Sequence, residues 1–102
     1  IAPKCIIGKN VFIGPSATLT NDPYPPSTKL VGVCIEDNAV IGARAVIKAG
    51  VTIGKNSVVA MGSIVTKDVP PDTVVIGSPA KIVYTRAQYD EKMKDWEVSS
   101  KY

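Results

Sequence analysis

The chain has 102 residues, 45% hydrophobic and 6% aromatic, with a formal net charge of +3; this is one domain, near the size where a single core becomes marginal. The Lys and Arg residues are scattered, without the basic run and interleaved aromatics that track a nucleic-acid backbone, so no nucleic-acid partner is expected, while a mild positive balance suits an anionic cofactor. No apolar stretch approaches the ~20 residues that span a membrane, and no signal peptide is visible, so no membrane partner is expected either.

Ile (11 residues) and Val (14) dominate the apolar mass, with only two Leu. Such β-branched side chains favour strands, because they pack well on a pleated surface and lose rotamer freedom in a helix. An aliphatic residue recurs every six positions at Ile1, Ile7, Ile13 and Leu19, and again at Ile35, Ile41, Ile47, Ile53, Val59 and Val65. Four residues after these stand small or β-branched residues: Cys5, Val11, Ala17, Ala39, Ala45, Val51, Ser57, Ser63 and Val69. One residue after come Gly8, Gly14, Gly42 and Gly54. Three after come Asn10, Asn38, Gly50, Asn56, Gly62 and Asp68, types that tolerate a left-handed backbone at a tight corner. Each hexad therefore reads as a short strand and a corner, and three hexads close a triangular coil. Neither an α-helix nor a flat sheet repeats at six; contiguous hexads predict an all-β, left-handed parallel β-helix. Ile1 already stands inside the repeat, which predicts further coils upstream.

Between Leu19 and Ile35 the register breaks, and the proline-rich stretch Thr20-Asn21-Asp22-Pro23-Tyr24-Pro25-Pro26-Ser27 predicts a loop insertion over residues 20–34, where solenoids often carry function. After Val69-Pro70-Pro71 the repeat is expected to end. The β-helix domain is placed at 1–83 and a C-terminal helix and tail at 84–102. Thr85-Arg86-Ala87-Gln88 has the form of a capping box, and Ala87, Tyr89, Met93 and Trp96 would line one packed side of that helix. Cys5 and Cys34 suit small buried sites. A disulfide between them and two reduced thiols in a cytosolic protein both fit, and compartment and spacing favour the thiols.

Two stretches, Gly62-Ser63-Ile64-Val65-Thr66-Lys67-Asp68-Val69-Pro70-Pro71 and Ile76-Gly77-Ser78-Pro79-Ala80-Lys81-Ile82, resemble the closing signature of the hexapeptide-repeat acetyltransferases, the galactoside, maltose, serine and sugar-nucleotide enzymes among them. With the hexads, the resemblance covers the chain from Ile1 to about Val83. It implies a cytoplasmic homotrimer with acetyl-CoA lying in the groove between neighbouring coils. On that alignment Ala43 sits beside the thioester, and spacing makes the backbone N–H groups around Gly42 and Ala43 the expected oxyanion donors. Met61, Thr66 and Lys67 lie further along the pantetheine arm, and Lys81 faces the nucleotide phosphates. Tyr84 stands where a second Arg is found in the galactoside-type enzymes.

Many members of that family use a loop His as general base, and this chain has no His. A three-His zinc site is excluded with it, and no metal is expected. The family base corresponds to Asn21, which cannot take a proton at a useful pKa but positions a nucleophile by hydrogen bonding. Such a site suits an amine acceptor, which attacks a thioester without a strong base. Thr20-Asn21-Asp22-Pro23-Tyr24-Pro25 also resembles the loop of N-acetyltransferases acting on UDP-2-acetamido-3-amino-2,3-dideoxy-glucuronate and related amino sugar nucleotides. This implies that Asn21 orients the amine and that Asp22 shapes the site or takes a proton; Pro26 stands where those enzymes carry Arg. The competing expectations are a non-catalytic β-helix scaffold and an O-acetyltransferase for a sugar or small hydroxyl acceptor.

Overall fold

A computed structural model of the chain describes residues 4–21, 25 and 30–98. Nine two-residue strands follow the hexads: β1 (Ile6–Ile7), β2 (Phe12–Ile13), β3 (Thr18–Leu19), β4 (Cys34–Ile35), β5 (Val40–Ile41), β6 (Val46–Ile47), β7 (Thr52–Ile53), β8 (Val58–Val59) and β9 (Ile64–Val65). Longer strands β10 (Thr73–Gly77) and β11 (Ala80–Thr85) and a helix α1 (Arg86–Val98) complete the order. The strands stack into three parallel sheets, the faces of a left-handed prism. Face A is β1-β4-β7, face B is β2-β5-β8-β10 with β11 added antiparallel, and face C is β3-β6-β9.

The second residue of each strand points inward. Ile35, Ile41, Ile47, Ile53, Val59 and Val65 are all but inaccessible to solvent, and the column they form is completed by Ala39, Ala45 and Val51. Ser57 and Ser63 are buried among them at no cost in unmet hydrogen bonds. The Ser57 hydroxyl donates to Gly54 O at 2.5 Å, and Ser63 Oγ accepts from Gly77 N–H at 3.1 Å. Corners turn through left-handed residues at Asn10, Asn38, Gly50, Asn56 and Gly62, as the hexad spacing predicts. The glycines after the inward residues serve another purpose, because neighbouring coils come too close for a side chain. A Cβ on Gly14 would lie 2.6 Å from Ala43 N, and one on Gly54 2.5 Å from Pro71 N.

The sequence reading needs correction at the last coil. Ile35 pairs with Ile53 and Ile41 with Val59, both eighteen residues on, but Ile53 pairs with Val69 and Val59 with Val75, only sixteen on. The inner column thus continues through buried Val69 and Val75 past the point where the repeat was expected to end. Two residues are lost at the corner after Val65. Asp68 does not take the left-handed conformation there, which falls on Asp72 instead. Its carboxylate accepts the Thr52 N–H at 2.8 Å, standing in for a backbone carbonyl of the shortened coil.

The insertion is pinched where it leaves the prism: Val31 N–H donates to Asn21 O at 2.8 Å, and Val33 is already buried in the core. Asp22, Pro23, Tyr24 and Pro26 lie outside the described residues. Cys5 and Cys34 are both free and half-buried, and Cys5 Sγ accepts the Val33 N–H.

The capping box forms as its spacing predicts. Thr85 N–H donates to Gln88 Oε1 at 2.9 Å, and Gln88 N–H to Thr85 Oγ1 at 3.2 Å. Beyond it α1 buries no residue, with Met93 and Trp96 44% and 56% exposed. The expected packed stripe is therefore confined to half-buried Tyr89, because the helix is held by its first turn. There Arg86 donates from Nη1 to both Asn38 O and Asn56 O at 3.1 Å, pairs through Nε with Asp90 at 2.8 Å, and donates its backbone N–H to Asp72 O. One residue thus ties three turns of the solenoid edge to the helix, two through its guanidinium and the third through its backbone N–H. Arg86→Ala is expected to cost about 1–3 kcal/mol, since hydrogen bonds from a charged donor outlast screening better than the half-exposed ion pair does. Urea unfolding checks this, with Asp90→Ala costing less than half as much.

Candidate active site

The corners between faces B and C form one continuous ridge. Strand register places Pro15, Ala43 and Met61 directly above one another on it, and the backbone joins them: Arg44 N–H donates to Pro15 O at 3.0 Å and Gly62 N–H to Ala43 O at 2.9 Å. The corresponding corners between faces A and B differ in one respect. There Lys9 N–H is capped by the Asp37 carboxylate at 2.8 Å and Lys55 N–H by the Glu36 carboxylate at 3.1 Å. On the B–C ridge the positions equivalent to Lys9, Asp37 and Lys55 are held by Pro15, which has no N–H, and by Ala43 and Met61, whose neighbours Gly42, Arg44 and Gly62 carry no carboxylate. Asp37, the counterpart of Ala43, itself has an N–H without an acceptor among the described residues. Neither the Ala43 nor the Met61 N–H has an acceptor among the described residues. Two unused donors therefore stand one strand spacing apart, ~4.8 Å.

Gly42, expected beside them, differs from Ala43 and Met61 in one respect. Its N–H is engaged by Val59 O at 2.8 Å, inside the coil ladder. What Gly42 provides is closeness, since a Cβ there would strike Met61 N.

Beside the ridge an apolar groove of about 400 Å³ runs over the outside of face B. Val40, Val58 and Val74 floor it, Phe12 and Pro15 line the first-coil end, Tyr84 and Tyr89 line the opposite side, and Gly42, Ala43 and Met61 form its rim. Phe12 and Met61 are 58% and 77% exposed. Exposure of large apolar side chains around a concave surface marks a binding site more than a solvated one.

The remaining predicted residues fall elsewhere. Lys67 and Lys81 share a depression of about 320 Å³ at the C-terminal end of the prism, with Asp68, Val69, Pro70 and Ala80. Thr66 is exposed immediately before Lys67. Asn21 lies at the loop neck on the edge between faces C and A. The chain therefore brings Gly42, Ala43 and Met61 together, and Lys67 with Lys81, while the whole of face C separates Asn21 from Ala43. Among the described residues no three His, Cys, Asp or Glu side chains converge as a metal site, and no helix is long and apolar enough to cross a membrane.

Sequence reasoning missed the groove. Its signal was present in the doublets Phe12-Ile13, Val40-Ile41, Val58-Val59 and Val74-Val75, each apolar on the outward as well as the inward side. Tyr89 and Arg86 were hidden because their positions depend on where a two-residue deletion lets β10 and α1 fall.

A family model described as hexapeptide repeat of succinyl-transferase matches residues 32–67. The chain is 47% identical over 88 residues to a 2,3,4,5-tetrahydropyridine-2,6-dicarboxylate N-acetyltransferase of Staphylococcus aureus, a match covering 86% of this chain and 36% of that protein. It thus spans little more than a third of that relative's length. Among solved structures it resembles a hexapeptide-repeat acetyltransferase of Vibrio cholerae in complex with acetyl-CoA. The TM-score is 0.70 and the identity 42%, with coverage of 79% of this chain and 49% of that one. It also resembles serine acetyltransferase of Neisseria gonorrhoeae, with TM-score 0.75, 33% identity, and coverage of 83% and 32%.

Proposed function

We propose that this chain, which resembles the hexapeptide-repeat acetyltransferases, binds acetyl-CoA along the B–C ridge and passes the acetyl group to the nitrogen of a small acceptor. The observation that carries the proposal is the pair of unengaged N–H groups at Ala43 and Met61 on the rim of the apolar groove, where no carboxylate stands to cap them as Asp37 and Glu36 cap Lys9 and Lys55 on the A–B ridge. The thioester carbonyl rests at Ala43, whose N–H stabilises the oxyanion formed when the amine attacks. The pantetheine arm continues past Met61 and Thr66, and the ammonium groups of Lys67 and Lys81 meet the phosphates.

A nitrogen acceptor is favoured because the chain holds no His to deprotonate a hydroxyl. Two acceptor classes have support. The resemblance of the Asn21 loop favours an amino sugar nucleotide, whereas the staphylococcal relative's name favours a cyclic dicarboxylate such as tetrahydropyridine-2,6-dicarboxylate. In either case Asn21 orients the nucleophile and Asp22 serves as the carboxylate beside it.

Since Asn21 and Ala43 occupy different edges of one prism, the reading includes a homotrimer in which one copy's loop reaches its neighbour's ridge. Two free thiols and the cosubstrate fit the cytoplasm.

Thiol release from acetyl-CoA, measured with an amino sugar nucleotide, tetrahydropyridine-2,6-dicarboxylate and serine, tests this reading. Faster release with a nitrogen acceptor than with serine is expected, and Asn21→Ala should lower kcat/KM about 10–100-fold. A scaffold without activity would bind neither acetyl-CoA nor CoA by calorimetry, which would end the proposal.

A further inference from the structure

We propose that the groove over face B is an acyl-chain site, and that the chain takes CoA thioesters with acyl groups of about four to eight carbons in preference to acetyl. The inference rests on the placement of the thioester at Ala43. From that point the groove is the apolar surface that begins at the same residues: Gly42, Ala43 and Met61 are at once its rim and the ridge where the thioester lies. Its floor, Val40, Val58 and Val74, continues to Phe12 across four adjacent strands. From Ala43, level with β5, two strand spacings of ~4.8 Å reach Val74 and give ~10 Å of floor, the span of an extended chain of about eight carbons at ~1.2 Å of advance per bond.

The lining has no charged group. That disfavours the acceptor and the nucleotide as occupants, since burying their polar groups unpaired is costly, and it matches a hydrocarbon. Tyr89 is held in place at its side by the first turn of α1, where the Arg86 guanidinium lies 5.6 Å from the ring centre. An acetyl methyl group would leave most of this surface wet; each further methylene removes more of it from water.

The reaction is otherwise unchanged. The amine lone pair forms the C–N bond to the acyl carbonyl, the C–S bond breaks, and CoA leaves as the thiol with the proton lost by the nitrogen.

The test is calorimetric titration of the full chain with CoA and with acetyl-, butyryl-, hexanoyl- and octanoyl-CoA. Affinity is expected to rise about fourfold per methylene up to the length of the groove. Val40→Trp, which fills the floor, should abolish that rise while leaving the affinity for CoA itself within twofold; Tyr89→Ala should flatten it. Circular dichroism confirms that each variant is folded. Binding of CoA and acetyl-CoA with no gain from longer chains overturns the acyl site and leaves the acetyl-CoA reading standing, the groove then belonging to another occupant such as a second copy. A gain that persists unchanged in both variants also overturns it. Failure of every thioester to bind overturns both readings.

Discussion

Ile41→Ala is expected to lower the free energy of unfolding by about 2–5 kcal/mol, a large share of the ~5–15 kcal/mol that holds a domain together. Ile41 is wholly inaccessible and sits between Ile13 and Val59 in adjacent coils of the same face. Short strands make the loss hard to absorb. Each contributes a single inward side chain per coil, and the backbone above and below is fixed by ladder bonds on both sides, such as Gly14 N–H to Ile41 O and Gly42 N–H to Val59 O. The cavity therefore stays open. Ile6 provides the control, since it is the outward residue of β1 and 66% exposed. Ile6→Ala should change stability by no more than about 0.5 kcal/mol. Urea midpoints for the two variants separate a three-sided solenoid from any arrangement in which both isoleucines share one core.

Met61→Asp is expected to reduce kcat/KM about 10²–10³-fold, the usual effect of losing one oxyanion donor, with no loss of stability. The reason is built into the repeat. Residue 37 lies one coil beyond residue 9, as residue 61 lies one coil beyond residue 43, and the Asp37 carboxylate caps the Lys9 N–H. Aspartate at 61 would cap Ala43 N–H in the same way and place a negative charge where the transition state develops one. The coil itself gains a hydrogen bond, so the urea midpoint should hold or rise. Met61→Asn, which accepts the same hydrogen bond without the charge, should fall between wild type and Met61→Asp. Steady-state kinetics beside urea unfolding reads both quantities.

The prism and its inner column were legible in the sequence because one chemical rule, an aliphatic residue every six positions, is imposed by stacking and appears at every coil. Corner residues followed for the same reason, with Asn and Gly at Asn10, Asn38, Gly50, Asn56 and Gly62 marking left-handed turns. The last coil was not legible. Asp68 has a corner residue's chemistry, and nothing in its type distinguishes a left-handed turn from a carboxylate that replaces a missing carbonyl. At the site, the family resemblance pointed to Ala43 and Met61 and the spacing to Gly42, but which N–H is available depends on ladder bonding. Gly42 and Ala43 are adjacent in sequence, yet the N–H of Gly42 is engaged and that of Ala43 is not. The distance between Asn21 and that ridge is likewise a property of the winding, invisible in a string of hexads.

Backbone amide hydrogen exchange, followed residue by residue while acetyl-CoA is added, bears most directly on the idea that this ridge holds the cosubstrate. Slower exchange at Ala43 and Met61, with Lys9 and Lys55 unaffected on the opposite ridge, is the predicted result. Saturation by acetyl-CoA that leaves Ala43 and Met61 exchanging as they do in the free protein would contradict it.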